Sequence, residues 1–356
     1  MGGHALKTVN TKRVDNNEYK KIKKEIYDKF HSKVSIHFLN EIPGKETHGD
    51  LDLLYVNSNN LNIRELIVQI MNPKEIVKNG PVLSFSYLLN EEENMYFQID
   101  FIHVHDIDTA LFYFSYADFG QLIGRILKYY GLTFGHNGLW ISPFKNTIIS
   151  YIEDHKEEYD KYHVEDHKIG DIEDIILTRR PEEICKFIGL SYDRWKEGFL
   201  TKLELFEYIK SSHYFSPTIF MYSNHPQRSR LKTRKMYEEF LISLFGEDKV
   251  NELKESKEST DTKENNQLEA IFHFQKEDEL KKSIDLYFLH YERKQKFNGN
   301  LMIQLLQVTN KELGSLIPSF KKHINEKYSC DFEEYLDKST KNQISEKIQE
   351  WYLSNQ

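Results

Sequence analysis

Only two cysteines, Cys185 and Cys330, occur in 356 residues. They cannot build a disulfide framework or a four-thiolate zinc site, so a reducing, cytoplasmic setting is expected and both are read as packing residues. No apolar run approaches the roughly 18–20 residues that span a bilayer, and no basic-then-apolar leader opens the chain, so no membrane partner is expected. There is no Gly-x-x-x-x-Gly-Lys-Ser/Thr phosphate loop, no Gly-x-Gly-x-x-Gly and no internal repeat. Positive charge is not in excess: 48 Lys and Arg face 56 Asp and Glu, a formal charge of −8. That excludes a protein that coats nucleic acid by bulk charge, but it leaves room for a local basic groove.

What is present suggests two or three domains. Asn17–Phe30 carries Tyr19, Ile22, Ile26 and Phe30 at three- and four-residue spacing, which predicts an amphipathic helix, with Lys20, Lys21, Lys23 and Lys24 read as its wet face or, alternatively, as part of a nucleic-acid surface. Lys33–Leu39, Asp50–Val56, Val82–Leu89 and Tyr96–Val104 alternate as strands do, with a helix over Leu61–Met71 and a polar loop over Pro43–Gly49. From Thr109 onward helices dominate: Phe119–Tyr130, Pro181–Ile188, Trp195–Phe199, Lys202–Ser211 and Thr233–Phe245, with short strands at Trp140–Pro143 and Ile172–Leu177. The expected fold class is α+β, a small mixed sheet with helices followed by mainly helical domains. The expected divisions are 1–115, 116–246, a charged linker or exposed helix extension over 247–267 that is nearly devoid of apolar residues, and a helical module over 268–356.

The sharpest local feature is His48-Gly49-Asp50-Leu51-Asp52-Leu53-Leu54. On a strand, Asp50 and Asp52 share one side while Leu51 and Leu53 take the other. Two carboxylates so placed repel unless a cation lies between them, and hard divalent ions such as Mg²⁺ accept that arrangement while keeping positions for water and phosphate. Gly49 leaves room for a ligand beside the backbone. A third carboxylate, Asp100, is set among Phe97, Ile99, Phe101 and Ile102 and needs a partner there. An Asp-x-Asp alone is usually solvated, and Asp106-Ile107-Asp108 and Asp171-Ile172-Glu173 supply decoys.

Gly2-Gly3-His4-Ala5, Gly49-Asp50-Leu51-Asp52-Leu53-Leu54 and Gln98-Ile99-Asp100-Phe101-Ile102 together resemble the three-carboxylate signature of the DNA polymerase β-like nucleotidyltransferase superfamily. The closer likeness is to a branch found in fungi and large viruses that begins with a Gly-Gly-small-Ala segment and has stretches similar to Gly120–Trp140 and Arg180–Phe215. The resemblance implies a palm-like catalytic domain in which Asp50 and Asp52 bind two Mg²⁺ or Mn²⁺ ions and Asp100 completes the ion that activates an attacking hydroxyl. It implies an NTP substrate, with Gly2, Gly3 and Gly49 near its phosphates. Gly3 precedes Asp50 by 47 positions, whereas superfamily members place that turn after an earlier element and close to the Asp pair. Leu301–Tyr352 resembles the C-terminal helices of tRNA nucleotidyltransferases and poly(A) polymerases, although a generic bundle explains its leucines equally well.

Further candidates are Arg125 and Lys128, one turn apart and able to face one phosphate group, and His136 with Trp140 at a base or sugar pocket. Each also has a plain structural reading, as a wet helix face or a core ring. Arg228, Arg230, Lys232, Arg234 and Lys235 put five cations into eight positions without an acid, a nucleic-acid backbone contact or a solvated segment. His155, His163 and His167 do not form a His-Glu-x-x-His pattern, and their surroundings are crowded with charge. The expected reaction is transfer of a nucleoside monophosphate to a polynucleotide 3′-OH, RNA favoured over DNA. The alternatives are a protein or small-molecule hydroxyl as acceptor, or an inactive nucleic-acid-binding module.

Overall fold

A computed structural model describes residues 4–57, 60–162, 172–221, 225–256 and 265–355. In chain order its elements are β1 (Asn10–Thr11), β2 (Val14–Asp15), α1 (Asn16–Phe30), β3 (Ser35–Phe38), β4 (Thr47–His48), β5 (Asp50–Val56), α2 (Ile63–Met71), β6 (Ile76–Asn79), β7 (Val82–Asn90) and β8 (Met95–His103). Mainly helical chain follows: α3 (Ile107–Phe114), α4 (Phe119–Tyr129), β9 (Thr133–Gly135), β10 (Gly138–Ile141), α5 (Lys145–Asp154), α6 (Lys156–Tyr159), β11 (Ile175–Thr178), α7 (Pro181–Ile188), α8 (Tyr192–Glu197), α9 (Lys202–Lys210), α10 (His225–Thr233), α11 (Lys235–Phe245), α12 (Glu247–Glu255) and α13 (Gln267–His273). Five more helices complete it: α14 (Glu277–Lys296), α15 (Gly299–Leu306), α16 (Asn310–Tyr328), α17 (Phe332–Lys338) and α18 (Lys341–Leu353). The architecture is α+β, as expected, with a mixed sheet of six strands followed by mostly helical chain.

The sheet runs β3-β5-β8-β7-β6, with β1 paired to β8 beyond the end of β5. Strand β5 is parallel to β8 and antiparallel to β3, and β7 is antiparallel to both β8 and β6. Alternation sorts the side chains. Leu51, Leu53, Phe85, Phe97, Ile99 and Phe101, all with no exposure, join one core beneath α1 and α2. On the opposite face Leu54, Ile102 and Val104 pack with Ala110 of α3. Asp50, Asp52, Gln98 and Asp100 share the parity of Leu54 and Ile102. Fully burying a Leu, Ile or Phe contributes about 1.5–3 kcal/mol, so the apolar face outweighs mutual repulsion of the acids on the other side. A one-residue slip would drive the aspartates into that core, which fixes the register.

Helix α1 starts where Asp15 accepts from the backbone N–H groups of Asn17 and Glu18, and its buried stripe is the expected Tyr19, Ile22, Ile26 and Phe30. Lys20, Lys21 and Lys24 are exposed, and the Lys23 ammonium lies 4.8 Å from the Phe38 ring centre. Asp106, in the first decoy, caps α3 by accepting from the Thr109 N–H at 2.7 Å. Asp171, in the second, lies outside the described residues.

The chain divides into two compact units: Met1–Thr147 with Asp174–Lys276, and Ile148–Glu173 with Glu277–Gln356. In the expected charged linker, Val250 and Leu253 of α12 are buried, while 257–264 lies outside the described residues. The second unit has its own core of Phe297, Met302, Phe320, Ile324, Phe332, Ile344, Ile348 and Trp351. Among the described residues no helix is long and apolar enough to cross a membrane. Both cysteines are free; Cys185 is buried and its Sγ lies 3.8 Å from the Tyr208 hydroxyl.

Removing the Phe101 ring from the middle of the sheet core should cost about 3–5 kcal/mol. Leu200, 87% exposed, should tolerate alanine within about 0.5 kcal/mol. Urea unfolding of Phe101→Ala and Leu200→Ala checks both.

Candidate metal centre

Parallel pairing puts Asp52 directly opposite Asp100, and Asp50 opposite Gln98. Each of Asp50, Asp52 and Asp100 offers a carboxylate oxygen within 4.8 Å of the others'. Among the described residues this is the one cluster of three or more ligating side chains. No Lys or Arg ion-pairs with Asp52 or Asp100 among the described residues. Asp100 is held by neutral groups instead: the Gln98 Nε2 amide donates to both of its oxygens at 3.0 and 2.9 Å. The Ser84 hydroxyl, opposite Asp100 on β7, also bonds it. A carboxylate has about four lone-pair positions, so these donors leave Asp100 able to ligate a cation. The cluster can hold a metal ion, and its all-oxygen donor set suits a hard divalent one.

The electrostatics follow from burial and crowding. Asp52 is pushed well above the usual carboxylate range, first by burial and then by the charges of Asp50 and Asp100, with Lys45 partly offsetting them. Burial lifts Asp100 to about 6, opposed by the Ser84 and Gln98 hydrogen bonds and reinforced by Asp50. A bound cation relieves both effects.

The pair Asp50 and Asp52 opens onto a cavity of about 960 Å³. Its lining includes the loop between β3 and β4, with Asn40, Glu41, Gly44 and Lys45, and also Lys202, Arg234, Lys235 and Met236. Gly44 turns the loop at φ +75°, a conformation that favours glycine. Lys45 reaches the Glu41 carboxylate at 2.9 Å, and the Tyr19 hydroxyl donates to Glu41 at 2.5 Å. Burial first, and Lys45 next, hold the His48 imidazole down to about 4; its ring stacks on Tyr19 at 3.7 Å. The cavity lining holds five cations and six carboxylates, a formal balance of −1. A divalent cation held by the acids would make that balance positive.

The sequence candidates divide. Asp50, Asp52 and Asp100 converge, and Gly49 lines the cavity beside them without a side chain. Gly2 and Gly3 lie outside the described residues, although His4 reaches the cavity lining. Arg125 does not face the cavity. It is buried on α4, and its Nε and Nη2 donate to the Ile219 carbonyl at 3.1 and 2.8 Å, tying α4 to the 3-10 turn Pro217–Phe220. Lys128 is exposed on the same helix and is not part of the lining. His136 stacks behind Phe114, a lining residue, at 5.5 Å. Trp140 packs over Gly135, where a Cβ would sit 3.0 Å from the indole.

The basic run is split in the same way. Arg234 and Lys235 line the cavity; Arg230 donates to Gln121 Oε1 at 3.2 Å, and Lys232 sits 3.9 Å from Glu255. Arg228 is half-buried on α10 and is not in the lining. His155 bonds the Tyr151 carbonyl and stacks on that ring; His163 and His167 lie outside the described residues. Lys45, Lys202 and Gln98 are functional candidates that sequence spacing alone does not single out. No family model matches the chain, and no curated protein matches it.

Because Asp100 and Asp52 are harder to ionise folded than unfolded, the native state keeps protons that the unfolded chain has released. For the metal-free protein, the Asp100 contribution to stability is fully present below about pH 4 and is lost as pH rises through about 6, and that of Asp52 fades in the same direction. Asp52→Asn should accordingly raise the thermal midpoint at pH 7 by several degrees and flatten its pH dependence. Scanning calorimetry in chelator checks this, and a lowered midpoint contradicts it.

Proposed function

We propose that the protein is a metal-dependent nucleotidyltransferase, resembling the DNA polymerase β-like superfamily, that moves a nucleoside monophosphate from an NTP such as ATP to an acceptor hydroxyl, with pyrophosphate as the leaving group. The observation that carries this reading is the in-register convergence of Asp50, Asp52 and Asp100, the first two lining a cavity that also holds cationic side chains. When bound on these three residues, two Mg²⁺ or Mn²⁺ ions would supply Lewis-acid stabilisation of the phosphoryl oxygens.

The chain's own residues divide the remaining work. Lys45, Lys202, Arg234 and Lys235, all in the cavity lining, give the polyphosphate counter-charge. Ile42, Ile102, Phe114 and Met236 provide apolar lining against which a base or sugar can rest. Asp100, held by the neutral donors Gln98 and Ser84, accepts the proton of the attacking hydroxyl at a carboxylate oxygen. The acceptor reading is a polynucleotide 3′-OH, RNA favoured over DNA, because Arg234 and Lys235 bring the basic run to the cavity edge.

Labelled NTPs, each offered with Mg²⁺ or Mn²⁺ and with RNA, DNA or no oligonucleotide, should give extension products resolved on a sequencing gel. The Asp50→Asn, Asp52→Asn double variant should lose on the order of 10²–10³-fold or more in rate while remaining folded. Unaltered incorporation by that variant would remove these residues from the chemistry. Lys45→Ala should weaken NTP use mainly through KM, with Lys45→Arg recovering part of the loss.

A further inference from the structure

A primary amide has two different ends, an oxygen that accepts and a nitrogen that donates. Gln98 is 2% exposed and lies on the carboxylate face of β8, and both of its ends are committed. Oε1 accepts from the Ala5 backbone N–H at 2.8 Å, and Nε2 donates to the two oxygens of Asp100. A flipped amide would set oxygen against carboxylate and nitrogen against N–H, so the network fixes its orientation.

Ala5 belongs to the segment His4–Thr11, which is tied to the sheet elsewhere as well. The Glu75 carboxylate accepts from the backbone N–H groups of Lys7 and Thr8, each at 2.8 Å, and Asn10 and Thr11 pair with Met95 and Tyr96. Gln98 is the tie nearest the carboxylates. We infer that Gln98 is a positioning residue that couples docking of segment 4–11 to the aim of Asp100. With the segment in place, the amide is pinned and holds both Asp100 oxygens. Without it, Oε1 loses its donor, the amide can turn, and Asp100 loses its restraint. Coupling of this kind is reciprocal, so a cation bound at Asp100 tightens the segment by the same factor that the segment tightens the cation.

The inference rests on the metal-centre part of the reading above and needs nothing from the reaction. Its test uses the full chain and Mn²⁺ alone, with free Mn²⁺ read by electron paramagnetic resonance and exchange of residues 4–11 read by hydrogen–deuterium mass spectrometry. Gln98→Leu should weaken Mn²⁺ binding about 10–100-fold. Glu75→Ala contacts none of the three aspartates, yet it should speed exchange of the segment and weaken Mn²⁺ in the same direction. In the unaltered protein Mn²⁺ should slow exchange of the segment, and Gln98→Leu should abolish that response. Wild-type Mn²⁺ affinity in Gln98→Leu, or faster exchange in Glu75→Ala with unchanged affinity, overturns the coupling alone. Absence of Mn²⁺ binding by the unaltered protein sinks the metal centre together with the coupling.

Discussion

The structure depends on one pairing, that of β5 with β8 in parallel register. It sets Asp52 across from Asp100 and, by the same alternation, sends Leu51, Leu53, Ile99 and Phe101 into the core on the other face. Neither result can be had without the other. The apolar face supplies the free energy, and the polar face takes the strain of three acids in a confined space. Ser84 and Gln98, buried opposite and beside Asp100, are the neutral groups that hold its carboxylate on that face.

Much of this was legible in the sequence because strand period is a strong signal. Asp-Leu-Asp-Leu-Leu can place its acids on only one face of a strand, and Asp100 among Phe97, Ile99 and Phe101 has few plausible fates. The helix over Asn16–Phe30 was equally plain from its apolar spacing. Less visible were β6, whose Ile-Val-Lys-Asn is too short to show a period, and α3, whose Asp106 cap looks in sequence like one half of a metal-binding pair.

Cations were the hardest to read. Arg125 has the same spacing to Lys128 whether it meets a phosphate or a carbonyl, and only the packing of Ile219 against α4 shows which. Lys45 and Lys202 gain meaning from the cavity they line, a property of tertiary structure that no local window contains. The five-cation run likewise looked uniform along the chain. Its members turn to different neighbours, and only Arg234 and Lys235 reach the cavity.

The placement of β8 has one more consequence. It lies at the centre of the sheet order, flanked by β5 and β7, while β3 and β6 form the margins. Breathing motions of a sheet begin at its margins, where each strand has one neighbour to lose. The acids therefore sit on the strands that part last, and warming should leave their spacing intact until the whole unit melts in a single step.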